Sequence, residues 1–263
     1  MTYKEEKEFG KDFSIFGKVE GPSLSKVMRS GDDIIDVATQ LREENQVPKK
    51  SKGGYSICRS ETPGIDCVQG YLDDQDDHIL ITWRNQLRMQ ANKLIRRKLG
   101  HRGVLPNPGE PVLVCKNNEV VLNGEIHFAD VFSDGPSIGP EVKTKQFRTD
   151  GGIMILANTQ GKSEPMDGFM PDVKDWKAFH AQLREAKVPD PIPVTYGYVS
   201  TAHKAQGSEY RRVSIFLSAY DLQSKHFTAP TTLPNGEKMP FATRWLYTSL
   251  TRAKTRVSLI LGN

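Results

Sequence analysis

The chain has 263 residues, enough for one large hydrophobic core or two smaller ones. With 37% hydrophobic and 26% charged residues and a mean hydropathy of -0.52, it is too apolar for wholesale disorder, and no apolar run approaches the roughly 18 to 20 residues that cross a bilayer. A net charge of +4 permits contact with a polyanion without requiring it.

The opening residues MTYKEEKEFG are charged where a signal peptide would be apolar, so the cytoplasm is the default location. Cys58, Cys67 and Cys115 are an odd number without the close pairs of a metal site or disulfide framework, and read as reduced and structural. Residues 1 to 23 are weakly patterned and read as an extended lead-in. From Ser30, SGDDIIDVATQLREE places Ile34, Ile35, Ala38 and Leu41 on one helical face, with Ser30 and Asp33 offering a capping box. Residues 46 to 77, rich in Lys, Gly, Ser, Pro and then Asp, read as a connection with one short strand around Tyr55 to Arg59.

HILITW is of strand length, and after it Leu87, Ala91, Leu94, Ile95 and Leu99 recur at helical spacing until Gly100 stops the helix. Strand followed by helix is the repeating unit of a parallel sheet. Between Pro106 and Pro193 the texture changes: VLVCKNNEVVLNGEIHFADVF alternates β-rich runs with Asn-Asn and Asn-Gly turns, and GGIMILAN adds a strand. This span reads as a small antiparallel barrel inserted in the chain, with Val173, Trp176, Phe179 and Leu183 marking one helix. Thereafter VTYGYVS, RRVSIFL and TRVSLIL are strands, and FATRWLYTSLTRAK is a helix with Trp245, Leu246, Ser249 and Leu250 on one face.

Three stretches carry chemistry: VMRSGDDIIDVATQLRE, YVSTAHKAQGSEYRRVSIFL and RWLYTSLTRAKTRVSLIL. Their order and spacing resemble the superfamily 1 helicases, closest to the RecD and Dda branch and to a UvrD-like C-terminal helicase domain. Thr201, His203, Lys204, Gln206, Gly207, Glu209 and Tyr210 match T-x-H-K-x-Q-G-x-E-[FY], and Tyr247, Thr248, Leu250, Thr251, Arg252 and Ala253 match Y-T-x-[ILV]-T-R-A. The resemblance covers about Leu24 to Leu261, and NNEVVLNGE resembles the SH3-like module that these helicases carry between motifs.

The resemblance implies an α/β fold: a RecA-like domain built from residues 24 to 105 and 194 to 263, with an SH3-like barrel inserted at 106 to 193. It implies ATP, with magnesium, as cofactor and single-stranded DNA as partner, ATP hydrolysis driving translocation and duplex unwinding from 5' to 3'. By the same resemblance Arg252 is an arginine finger and Arg29 a second γ-phosphate contact, a task suited to a planar guanidinium that keeps its proton. Gly207 lets the backbone approach the nucleotide, Glu209 accepts from its ribose hydroxyls, and Thr201, His203, Lys204 and Gln206 meet the strand.

The phosphate-binding loop G-x-x-x-x-G-K-[ST] does not occur. Gly161-Lys162-Ser163 has Leu156 in place of the first glycine, and Gly17-Lys18 is followed by Val19. A nucleotide site would therefore need an N-terminal RecA-like domain, in the same chain or another, which would also bring the magnesium ligands. A non-catalytic strand-binding or interaction protein derived from a helicase stays open as the alternative. Seven basic residues between Arg84 and Arg102 either grip nucleic acid or form a solvated helix face. Asp73, Asp74, Asp76 and Asp77 lack partners at metal-ligand spacing, which argues against a nuclease.

Overall fold

The computed structural model describes residues 30–117, 120–134, 144–150, 154–158, 176–185, 192–232, 236 and 238–263. In chain order the elements are α1 (Asp32–Glu44), β1 (Tyr55–Ser60), α2 (Pro63–Asp73), β2 (His78–Thr82), α3 (Asn85–Lys98), β3 (Pro111–Val114), β4 (Ile126–Asp134), β5 (Thr144–Thr149) and β6 (Met154–Asn158). After these come α4 (Trp176–Glu185), β7 (Val194–Tyr196), β8 (Val199–Thr201), β9 (Tyr210–Leu217), α5 (Ala219–Gln223), α6 (Lys225–Thr228), β10 (Pro230–Thr232), β11 (Lys238–Pro240), α7 (Phe241–Leu250) and β12 (Ala253–Gly262).

One five-stranded sheet runs β1-β12-β9-β2-β8 with every neighbouring pair parallel. Both faces are covered, as such sheets require. Ile79, Ile81, Val213, Ile215 and Leu217 turn to α1 and α7, whose Ile34, Val37, Leu41, Trp245, Leu246 and Leu250 complete one core. Leu80, Val199 and Phe216 turn the other way, onto Cys67, Val68 and Tyr71 of α2 and Ala91 and Ile95 of α3. This is the α/β sandwich expected of a RecA-like domain.

Several local readings are corrected. Helix α1 starts at Asp32 with Gly31 at its cap and no side-chain cap bond, so Ser30 does not form the expected capping box. Its buried residues are Ile34, Val37, Ala38 and Leu41, while Ile35 is only half-buried. The span read as a connection holds α2, which begins with Pro63 and lays Cys67, Val68 and Tyr71 on the sheet. Gly64 brings that helix close: a Cβ there would stand 3.4 Å from the Phe216 ring. Gly100, at φ +80, does end the helical run, whose last helical residue is Lys98.

VTYGYVS is two strands in two sheets. Gly197 donates to the Pro111 carbonyl at 2.7 Å, and a Cβ there would lie 3.0 Å from Pro111, so glycine allows the chain to step from β7 to β8. The second five-stranded sheet runs β6-β5-β4-β3-β7, and every neighbouring pair is antiparallel. Among the described residues no pairing joins β6 to β7, so the described strands form an open sheet and not a closed barrel.

Arg96 and Glu110 tie the two sheets together. Glu110 is fully buried, and Arg96 donates to it from Nε at 2.7 Å and from Nη2 at 2.8 Å. The guanidinium also reaches the Gly103 carbonyl and the Tyr196 hydroxyl, each at 2.7 Å, and Tyr198 donates to Glu110 at 2.8 Å. Burial alone raises the Glu110 carboxyl, but Arg96, the Asn107 N–H and the Tyr198 hydroxyl outweigh it and hold it below its usual range.

His78 at the start of β2 is buried, its Nδ1 2.7 Å from the Asp74 carbonyl and its Nε2 2.9 Å from Ser214 Oγ. Burial, aided by the Arg212 charge, lowers its pKa from 6.5 to about 4. The folded chain therefore binds fewer protons than the unfolded chain between those values, and stability falls as pH drops through that interval. The loss amounts to about 3 kcal/mol at the acid end. Urea unfolding at pH 7 and pH 4.5 should show this slope, and His78→Gln should flatten it; an unchanged slope would assign the acid sensitivity elsewhere.

Candidate functional site

Glu209 and Arg252 stand side by side along the edge of the parallel sheet that the N-terminal ends of its strands form. Tyr210 opens β9 and Ala253 opens β12, these two residues are register partners, and the Tyr210 N–H donates to the Arg252 carbonyl at 2.9 Å. Each predicted residue therefore stands immediately before one of two adjacent parallel strands. Both are half-buried. The Arg252 guanidinium donates from Nε to the Thr248 carbonyl at 3.1 Å, from Nη1 to the Ser208 carbonyl at 3.2 Å and from Nη2 to Thr251 Oγ1 at 3.3 Å. These acceptors are neutral, and the Ser208 contact places the guanidinium beside the residue that precedes Glu209.

Gly207 has φ +99 with open space around it, so glycine is needed there for its backbone conformation and not for room. The start of α1 joins the same edge, because the Gly31 N–H donates to the Lys254 carbonyl at 2.8 Å. Arg29 lies outside the described residues. The aspartate run fixes this edge: Asp74 pairs with Arg211 at 2.7 Å and Arg212 at 3.2 Å, and Asp76 pairs with Arg211 at 3.1 Å. The Arg211 hydrogen bond, joined by that of Arg212, holds the Asp74 carboxyl below its usual range. A cavity of about 830 Å³ opens beside Glu209, between this edge and β3 and β4, with Asp77, His78 and Tyr198 in its wall.

The residues predicted to meet a strand lie at the other edge. Thr201 ends β8 in register with Thr82, which places it level with Phe216 of β9 and roughly 20 Å along the sheet from Tyr210. Thr201 is buried, and its carbonyl accepts the Ala205 N–H at 3.0 Å to start the turn that carries the motif. His203 is exposed and stacks on Phe241, with centroids 6.4 Å apart and planes at 21°. Gln206 is exposed as well. Lys204 points elsewhere: its Nζ lies 3.1 Å from Cys115 Sγ, and its carbonyl passes under Gly124, where a Cβ would come within 2.2 Å. The four residues thus share a turn without sharing one surface.

Sequence reading missed the aromatic residues behind His203. Trp83 follows β2 and packs on the buried Phe227 at 4.7 Å and on Phe241 at 6.4 Å, and the Trp83 and Phe241 rings are half-exposed at the same edge. The Trp closing HILITW was the available signal. Next to it the fully buried Asp221 accepts from Ser218 N–H at 2.9 Å, from Ser218 Oγ at 2.7 Å and from Arg84, whose guanidinium lies 4.7 Å from the centre of the exposed Tyr220 ring. Among the described residues no group of three His, Cys, Asp or Glu side chains could hold a metal ion, and no helix is long and apolar enough to cross a membrane.

No protein-family model and no curated protein matches the chain. Solved structures similar to it are Pif1 helicases. One, from Bacteroides in complex with ADP-AlF3 and single-stranded DNA, is 17% identical with a TM-score of 0.43 over 90% of this chain and 51% of that one. A second, Bacteroides Pif1 bound to single-stranded DNA, is 16% identical with a TM-score of 0.43 over 98% and 58%. The Candida albicans Pif1 helicase is 15% identical with a TM-score of 0.41 over 88% and 53%. The chain spans about half the length of these relatives.

Proposed function

We infer that the chain is the second motor domain of an ATP-dependent DNA helicase, moving 5' to 3' on single-stranded DNA and completed by an N-terminal RecA-like domain. The observation that carries this reading is the placement of Glu209 and Arg252 at the heads of two adjacent parallel strands, one backbone hydrogen bond apart. A carboxylate and a fixed guanidinium in that relation suit a nucleotide lying along the edge, ribose toward Glu209 and terminal phosphate toward Arg252. The resemblance in the first motif adds Arg29 as a second cation for the terminal phosphate. Bound ATP and magnesium would supply the scissile phosphate and its counter-charge; the magnesium ligands and phosphate loop belong to the other domain. In this reading residues 24 to 105 and 194 to 263 form the motor domain of a cytoplasmic protein, with β7 lent to the SH3-like module of 106 to 193, whose described strands form an open sheet.

The opposite edge would hold the strand. His203 and Gln206 are exposed there, and the Trp83 and Phe241 rings supply faces on which bases stack. That cluster lies wholly within this chain, which favours a second reading, a strand-binding protein without turnover. Both readings predict that His203→Ala weakens binding of an unpaired oligonucleotide about tenfold. Both also predict that wild-type affinity falls steeply with salt, since each neutralised phosphate releases counterions. Fluorescence anisotropy over a salt series checks this; affinity insensitive to salt and to His203→Ala removes strand binding from both. Hydrolysis after addition of an N-terminal domain separates them.

A further inference from the structure

The basic run between Arg84 and Arg102 does not form one charged face. Arg88 and Arg96 are buried, and Arg88 spends its guanidinium on Asn85 and Thr195. What reaches solvent is a narrower stripe. Gln86, Gln90, Lys93 and Arg97 are all exposed and recur at intervals of four, three and four residues, so they line one side of α3 over about 16 Å. Lys98 and Arg102 are exposed next to the end of that stripe. No Asp or Glu stands on α3, and among the described residues none of these four cations is ion-paired. The stripe borders a groove of about 380 Å³, walled on its far side by Val104 and Tyr196.

We propose that this groove is a second nucleic-acid surface, which seats the sugar-phosphate backbone of a DNA duplex. Two amides followed along the helix by cations are side chains that bond phosphate and sugar oxygens. Met89 and Val104 give the groove an apolar floor, but the lysine and arginine along its rim favour a polyanion over a protein partner, since lysine is depleted from protein interfaces. An unpaired strand is less well matched too. Of the two rings in the groove wall, Tyr196 is buried and covered by the Arg96 guanidinium at 4.2 Å, and only the half-buried His101 imidazole is left for a base, against the several rings at Trp83 and His203. The stacking rings lie instead in the separate cluster at Trp83 and His203. The charge and exposure of α3 carry this inference independently of the nucleotide reading.

The test measures anisotropy of the full chain with two probes, a blunt DNA duplex of about two helical turns and an unpaired strand of equal length. In Lys93→Gln, Arg97→Gln, Lys98→Gln the duplex Kd should rise about tenfold or more, and the slope of log affinity against log salt should shrink by about 0.9 for each lost phosphate contact. Unpaired-strand affinity should stay within about threefold, and His203→Ala should give the reverse pattern. The charge-keeping pair Lys93→Arg and Arg97→Lys should bind duplex like the wild type. If the triple variant melts early, Arg102→Gln, beyond the helix, should still reduce the salt slope. No duplex binding by the wild type, equal losses for both probes, or displacement of the duplex by polyglutamate at equal charge overturns the proposal.

Discussion

In the chain joined to the N-terminal RecA-like domain that the proposed function requires, Arg252→Ala is expected to lower DNA-stimulated ATP hydrolysis by about a thousandfold or more, equivalent to about 4 kcal/mol of transition-state stabilisation. Affinity for an unpaired strand should change little, because Arg252 precedes β12 at one sheet edge while His203 follows β8 at the other, roughly 20 Å away. Arg252→Lys should not restore the rate. The arginine is oriented by its Nε bond to Thr248 and its Nη1 bond to Ser208, and a lysine ammonium on a flexible stem cannot reproduce both while facing phosphate. Loss of these bonds costs stability of about 1 kcal/mol each, so the melting temperature is measured alongside. Hydrolysis that persists in Arg252→Ala, or that never appears in the assembled wild type, would falsify the catalytic reading and leave the strand-binding one.

What could be read from the sequence was whatever rests on local order. β2, α3, β9, α7 and β12 each carry an apolar pattern of one period and each forms there, although α7 stops at Leu250, short of the expected Lys254, and β12 already begins at Ala253. Helix α2 was hidden because PGIDCVQGYLD opens on Pro-Gly and carries a second glycine, residues that read as a turn or loop. Side-chain environments were less legible than elements. Nothing near Arg88 or Arg96 announces their burial, since their acceptors Thr195 and Glu110 come from the other sheet. Lys204 looks like a strand contact until Cys115, 89 residues earlier, takes its ammonium. Glu209 and Arg252 are also far apart in sequence, but each sits against its own strand, and two strands in register bring them together without any side-chain recognition.

The second large effect is expected at the junction of the sheets, where Arg96→Met should destabilise the chain by about 3 to 5 kcal/mol. That substitution leaves the Glu110 carboxylate, with no exposed surface, without its bidentate cation in a site that water does not reach. Tyr198 and Asn107 still donate to it, which sets the upper limit of the loss. Replacing both partners, as Arg96→Met with Glu110→Leu, should recover much of the stability, because an apolar pair does not carry the desolvation cost of the ions. The pH profile separates a charge effect from simple repacking. Glu110 is held below its ordinary 4.5, so its contribution is fully present above that value and is lost as pH falls through the lowered one. Wild type should therefore lose stability below about pH 4.5 by this route, and the double variant should not. Because Arg96 belongs to α3 and Glu110 leads into β3, the single variant should also free the antiparallel sheet to move against the parallel one, read as faster amide exchange in β3 and β7 than in β9. A single variant as stable as wild type, with equal exchange in both sheets, would show that the ion pair is not what joins them.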